Sequence, residues 1–300
     1  MGTPAAAVPA LAALTGVADI VGVVTQPDAA KGRSQHKFAP PVKEAAAEWG
    51  FPVFQPETAS NLSEMAASIG FDIGVVVAYG RLLRPEVLKA AAFGYLNVHF
   101  SLLPRWRGAA PVERSILAGD DTTGVSLMKL DQGLDTGPVV AVREVEIAPD
   151  DTAGTLTARL AHVGADLLID SLDDFVSGRR SPAPQLSAGV TEASRLSTAE
   201  AQLHGRLAVE DAERMVRGFN PRPGAWMTVD GERIKVFEAY IDSSSVSPGV
   251  LTFVEDRPVV GFQGGALAVT SVQPAGHKMM TGLAWANGRR HETGVLDPAP

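Results

Sequence analysis

Residues 72–78 read Asp72-Ile73-Gly74-Val75-Val76-Val77-Ala78, an apolar run with almost no polar interruption. A strand buried on both faces reads this way in a parallel sheet, whereas a half-solvated antiparallel strand alternates. The neighbouring segments repeat the theme. Downstream, a short helix over 85–91 opens on Pro85, where the first turn needs no N–H, and Tyr95-Leu96-Asn97-Val98-His99-Phe100 returns as a strand. Upstream, residues 20–25 form a β-branched run stopped by Gln26-Pro27-Asp28. A helix over 41–49 ended by Gly50, a short strand over 51–54 and a helix over 62–69 follow it. Strands alternating with helices predict βαβ units on a parallel sheet. A helix over 111–118, strands over 124–130 and 139–147, and a long helix over 153–175 striped by Leu156, Leu160, Val163 and Leu167 complete this part.

Between 178 and 197 the periodicity fails, and Pro182, Pro184 and Gly189 among Ser, Thr and Ala read as a linker. After a helix over 209–219 the character turns to short strands with Gly-rich turns, which suits a small barrel. The expected organisation is a first domain over 1–180, a linker over 181–205 and a second domain over 206–300. Gly2-Thr3-Pro4 resembles the tight turn between a first strand and a helix, yet no strand precedes it. The first strand of a doubly wound sheet lies in its middle, so its loss would leave a slot flanked by unpaired backbone groups. The expectation is a start assigned too late or a trimmed product.

With 300 residues, 45% hydrophobic and 20% charged, the chain has the composition of a globular protein. It contains no cysteine, which excludes thiolate nucleophiles, zinc ribbons and iron–sulfur ligation. No apolar run reaches membrane-spanning length, and the first residues lack a basic signal-peptide region, so a cytoplasmic location without membrane contact is expected. The net charge of −8 argues against a uniformly basic coat for nucleic acid.

Chemistry concentrates between Asn97 and Gly137. Residues i and i+2 of a strand share a face, so Asn97 and His99 project together. The loop from Ser101 to Pro111 lies at that strand's carboxyl end, where open α/β sheets place ligands. Asp131-Gln132-Gly133-Leu134-Asp135-Thr136-Gly137 is a turn able to bring Asp135 to the same place. An amide donor for a developing oxyanion, an imidazole for the proton and a carboxylate to hold the imidazole make a set for acyl transfer. A lone strand histidine is most often structural, and Asp135 alone is a turn residue. The Asn-x-His pair beside the Ser-Leu-Leu-Pro loop shifts that balance toward catalysis. Neither a nucleophile elbow nor a P-loop occurs, so direct attack by an amine is favoured over an acyl-enzyme.

Gly2-Thr3-Pro4, Val24-Thr25-Gln26-Pro27-Asp28, the unbroken string from Asn97 through Pro111, Gly133-Leu134-Asp135-Thr136-Gly137, Phe219-Asn220-Pro221-Arg222-Pro223-Gly224-Ala225 and Gln273-Pro274-Ala275-Gly276 together resemble the bacterial methionyl-tRNA formyltransferases. The resemblance implies a Rossmann-like formyltransferase domain with a mostly parallel sheet, followed by a small β-barrel of oligonucleotide-binding type. It implies formyl transfer from 10-formyltetrahydrofolate, as co-substrate and without a metal, to the α-amine of methionine on initiator tRNA; a monomer is the expected state. Carried over, Asn97, His99 and Asp135 become the catalytic set, and Ser101, Leu102, Leu103 and Pro104 the folate-contacting loop.

Residues 31–43 hold Lys31, Arg33, Lys37 and Lys43 and no acid, and clustered cations bind phosphates whatever the total charge. Composition alone favours a solvated loop; the resemblance implies a tRNA-binding one, with Arg105 and Arg107 adding contacts near the acceptor end. In the second domain, Arg214, Arg217, Arg222, Arg233, Lys235, Lys278, Arg289 and Arg290 are candidates for a backbone-tracking face. Two other readings are a formyltransferase for a small amine, against which the basic loop and barrel speak, and an inert RNA-binding relative, whose mark would be loss of the Asn/His/Asp set.

Overall fold

A computed structural model of the chain describes residues 1–30 and 36–298. The chain divides into two compact units: residues 1–111, 122–146 and 157–194, and residues 112–121, 147–156 and 195–300. The strands are β1 (Val23–Val24), β2 (Ala29–Ala30), β3 (Lys37–Phe38), β4 (Val53–Phe54), β5 (Gly74–Val76), β6 (Tyr95–His99), β7 (Arg107–Gly108), β8 (Thr122–Lys129), β9 (Val139–Glu146) and β10 (Glu192–Ala193). Helices α1 (Val8–Leu14), α2 (Pro41–Glu48), α3 (Ala59–Ser68), α4 (Pro85–Leu88), α5 (Pro111–Ala118) and α6 (Ala153–Val176) lie among them. The first unit is mixed α/β: β1 pairs with β4 and β5 with β6 in parallel, and β6–β8 and β8–β9 are antiparallel.

Met1 and Gly2 run between β1 and β5. The Gly2 N–H donates to the Val24 carbonyl at 2.9 Å, Gly2 bridges Val77 in parallel, and the Val77 N–H donates to the Met1 carbonyl at 2.9 Å. Two residues thus do the pairing of a strand between β1 and β5. An apolar cavity of about 160 Å³ opens beside Met1, with Leu14, Val21, Val75 and Tyr95 in its wall. The Met1 ammonium donates to the Val75 carbonyl at 2.5 Å, and burial pushes its pKa down to about 5.

Helix α6 supports the far side of β6. A Cβ on Gly164 would stand 2.6 Å from Val98 Cγ1, so glycine is what lets the helix lie this close to the strand. Leu160 and Leu168, one turn to either side, are fully buried. Val98 lies between Asn97 and His99, so α6 fixes the strand that carries both.

The segment read as a linker is paired with the first unit. Ala183 bridges Val139, and β10 pairs in parallel with β7, with Glu192 opposite Arg107 and Ala193 opposite Gly108. Aperiodic sequence conceals this because a two-residue strand has no period to display.

The second unit has helices α7 (Val209–Gly218) and α8 (Gly282–Gly288) and strands β11 (Ala225–Val229), β12 (Glu232–Asp242), β13 (Val250–Val254), β14 (Arg257–Phe262), β15 (Gly265–Pro274), β16 (Met280–Thr281) and β17 (Gly294–Val295). They form an antiparallel sheet ordered β11-β12-β15-β14-β13-β17, with β16 beside β15. A bridge from Val229 of β11 to Leu296, just past β17, nearly closes it into a barrel. Met227, Ile234, Leu251, Phe262 and Val272 fill the core, with Val216 and Phe219 at the end of α7.

Candidate active site

Asn97 and His99 stand at the carboxyl end of β6, on the face that alternation assigns to both. The turn after Lys129 reaches back toward them. Asp131 Oδ1 accepts from the Gly133 N–H at 2.9 Å and the Thr136 hydroxyl at 2.8 Å, and Asp135 adopts a left-handed conformation with φ of 53°. Aspartate tolerates that region better than most residues. Its carboxylate, 12% exposed, enters the site with Oδ2 2.9 Å from the Gly108 nitrogen, whose N–H it accepts, and 3.6 Å from His99 Nδ1. Asn97 Nδ2 lies 3.5 Å from Asp135 Oδ1, the limit of a hydrogen bond.

His99 is buried, 5% exposed, and held from both sides. Nδ1 faces Asp135, and Nε2 lies 2.9 Å from the Trp106 carbonyl, with donor and acceptor roles set by the ring's tautomer. Trp106 has φ of 61°, an uncommon conformation for a bulky residue and one that collects at functional sites. The Trp106 N–H donates to Thr191 Oγ1 at 2.8 Å and the Arg107 N–H to the Thr191 carbonyl at 2.9 Å, so β10 and the residues before it hold this loop. Gly108, at φ of 126°, has no room for a Cβ, which would meet the Ala193 carbonyl oxygen at 2.6 Å. The three residues singled out in the sequence therefore converge. The Gly108 N–H, Trp106 carbonyl and Thr191 that arrange them are backbone groups or loop residues with no sequence signal of their own.

In the Ser-Leu-Leu-Pro loop, Ser101 is fully buried and its hydroxyl donates to the Arg105 carbonyl at 2.6 Å. Ser126 of β8 donates to the Ser101 carbonyl at 2.7 Å and accepts from the Leu103 N–H at 2.9 Å. Ser101 thus shapes the loop from within, and Leu102, Leu103 and Pro104 are half-buried around it.

The chain matches the formyl transferase family model over residues 5–172 and the formyl transferase C-terminal domain model over residues 195–290. It is 41% identical over 305 residues to the methionyl-tRNA formyltransferase of Streptomyces griseus, covering 98% of this chain and 97% of that protein. It is 43% identical over 295 residues to that of Halorhodospira halophila, covering 96% and 95%. The chain belongs to the methionyl-tRNA formyltransferase family. Among solved structures, an N-formyltransferase from Helicobacter canadensis, in complex with folinic acid and dTDP-3-aminofucose, shares the fold with a TM-score of 0.68 at 17% identity, covering 91% of this chain and 97% of that one. HypX from Aquifex aeolicus, in complex with tetrahydrofolic acid, shares it with a TM-score of 0.63 at 18% identity, covering 81% of this chain and 43% of that one.

The cations proposed from sequence for tRNA fare differently. Lys31 and Arg33 lie outside the described residues, and Lys37 is exposed in β3. Lys43 spends its three donors on Asp28 Oδ1 and Oδ2, at 2.8 and 2.9 Å, and Gln55 Oε1, at 2.8 Å. The hydrogen bonds from Lys43 and then Gln55 hold the Asp28 carboxyl below its usual range. The Arg105 guanidinium lies over the Trp106 ring, 4.4 Å from its centroid, and Arg107 is bound by Gln185. In the second unit Arg214 pairs with Asp211, Arg217 with Glu213 and Arg289 with Asp230, and Lys235 donates to the Pro223 carbonyl at 2.7 Å. Arg233 stacks 3.8 Å over Trp226, and Arg222, Lys278 and Arg290 are exposed.

Proposed function

We propose that this chain transfers the formyl group of 10-formyltetrahydrofolate to the α-amino group of methionine carried by initiator tRNA, acting in the cytoplasm as a monomer. The observation that carries the proposal is the convergence of Asn97, His99 and Asp135 at the carboxyl end of β6. The near-full-length likeness to proteins named for this activity supplies the substrate.

The amine nitrogen attacks the formyl carbon, a C–N bond forms, and the bond from that carbon to the folate nitrogen breaks. One proton leaves the amine, and one is delivered to the departing nitrogen. Asn97 suits the oxyanion because its amide makes only one long contact within the described residues, leaving donors for a ligand. His99, held by the Trp106 carbonyl and facing Asp135, takes the amine's proton and returns it to the leaving nitrogen. Asp135 fixes the ring and stabilises it when charged, itself anchored by the Gly108 N–H. The folate contacts fall to Ser101, Leu102, Leu103 and Pro104, with Ser101 acting through loop shape. Lys31, Arg33, Lys37, Lys43, Arg105 and Arg107 are the cations assigned to tRNA phosphates, Lys43, Arg105 and Arg107 being already engaged by other groups of the chain and so given smaller parts.

Replacing His99 or Asp135 by Ala is expected to lower kcat about 10²–10⁴-fold while leaving the affinity for charged initiator tRNA, measured by filter binding, unchanged. Retained turnover in either variant would remove that residue from the mechanism.

A further inference from the structure

Gln185 lies in the aperiodic segment after α6 and occupies a position that neither its sequence context nor the catalytic set announces. Its side chain is a four-point bridge. Oε1 accepts from Arg107 Nε at 2.9 Å and from Arg107 Nη2 at 2.7 Å. Nε2 donates to the Asp135 carbonyl at 2.8 Å and to the Gly137 carbonyl at 2.8 Å. The orientation of the amide is dictated by its partners, because a guanidinium only donates and a carbonyl only accepts. Glutamine is the natural residue here: glutamate offers no donor to the two carbonyls, and asparagine is one methylene too short to span the same points.

The bridge ties together the two loops that meet at the Asp135 carboxylate. One is the turn 131–137, where Asp135 sits in a left-handed conformation that the rest of the structure must maintain. The other is the 105–109 loop, whose Gly108 N–H binds Asp135 Oδ2 and whose Trp106 carbonyl faces His99. The segment bearing Gln185 is itself pinned on both sides, at Ala183 to Val139 and at Glu192–Ala193 to β7.

We infer that Gln185 is a positioning residue for formyl transfer: by bridging Arg107 to the Asp135 and Gly137 carbonyls it holds the Asp135 carboxylate against His99 and the Gly108 N–H. The inference rests on the proposed function for its kinetic consequence. Its geometric consequence stands alone.

Gln185→Leu keeps the volume and deletes all four hydrogen bonds; Gln185→Glu keeps the Arg107 partner and deletes only the donors to Asp135 and Gly137. Both variants are expected to lower kcat about 10–100-fold, the cost of an ångström-scale misplacement, with KM for charged tRNA within about twofold. In an Asp135→Asn background the same changes are expected to cost almost nothing further, since a residue acting through Asp135 has nothing left to position. Losses that multiply in the double variants, or a Gln185→Glu enzyme as fast as the parent, would overturn the inference. Hydrogen exchange gives a readout independent of turnover. The Gly108 amide, protected by Asp135 Oδ2, is expected to exchange about 10-fold faster in Gln185→Leu, and unchanged protection there would overturn the inference even in a protein with no formyl-transfer activity. An active parent crippled by Asp135→Asn but not by Gln185→Leu refutes this role and spares the proposed reaction; a parent inactive in transfer refutes the reaction and leaves the exchange measurement to decide the role.

Discussion

Asn97, His99 and Asp135 differ in how much their surroundings already ask of them, and this divides their roles. His99 is buried and has an acceptor facing each ring nitrogen, Asp135 is anchored by a backbone N–H, and Asn97 makes one contact at the edge of hydrogen-bonding distance. The group with spare donors is the one suited to bind charge that develops only during reaction. Asn97→Ala is therefore expected to lower kcat about 10²–10³-fold with little change in KM, a split that steady-state kinetics reads directly; a change confined to KM would make Asn97 a ground-state contact instead. The trio was legible in the sequence because strand alternation aligns Asn97 with His99 and the Gly-punctuated turn marks Asp135 as a residue that can double back. The residues holding the trio were not legible. Gln185 and Thr191 sit among Pro, Ser and Ala, and the remaining contacts use the backbone of Trp106 and Gly108, which no side-chain pattern records.

Among the elements, β6 is the one whose placement decides the site, and its back is set by Gly164 of α6. Gly164→Ala is expected to destabilise the protein by about 1–3 kcal/mol through overpacking against Val98, partly offset by the better helix propensity of alanine. It is also expected to reduce kcat, because Val98 cannot move without moving its neighbours; urea unfolding together with the transfer assay checks both, and a stability at or above that of the parent would show that α6 has slack. The long apolar stripe of α6 and the run at 72–78 were readable because burial imposes a period or a lack of polarity. The ladders at β1 and β5 came out shorter than those runs suggest, β1 pairing with β4 over Val23–Val24 and β5 with β6 over Gly74–Val76. The supposed linker proved to be a pinned segment through Ser194, because pairing that short depends on where a partner lies and not on local composition.

For the molecule as a whole, a net charge of −8 has to accommodate a polyanionic substrate. The ion pairs show part of the balance: Arg214, Arg217, Arg257 and Arg289 of the second unit, and Lys43 in the first, are paired with acids of their own unit. Lys37→Ala is accordingly expected to weaken tRNA binding and to reduce the slope of log K against log salt by about one, whereas Lys43→Ala leaves that slope unchanged; equal effects from the two would mean that the Asp28 pair opens to tRNA. The two-unit organisation was visible in the switch from alternating helices and strands to short strands with Gly-rich turns, while the near-closure of the barrel by Val229 and Leu296 is a single long-range bridge that no local pattern announces. The central claim is that the Asn97, His99 and Asp135 site formylates an amine presented on tRNA. The most direct test is a formyl-transfer assay with 10-formyltetrahydrofolate and three acceptors: charged initiator methionyl-tRNA, free methionine with uncharged tRNA, and glycinamide ribonucleotide. Formylation of the charged tRNA alone is the predicted result, and formylation of only the small amine would contradict it.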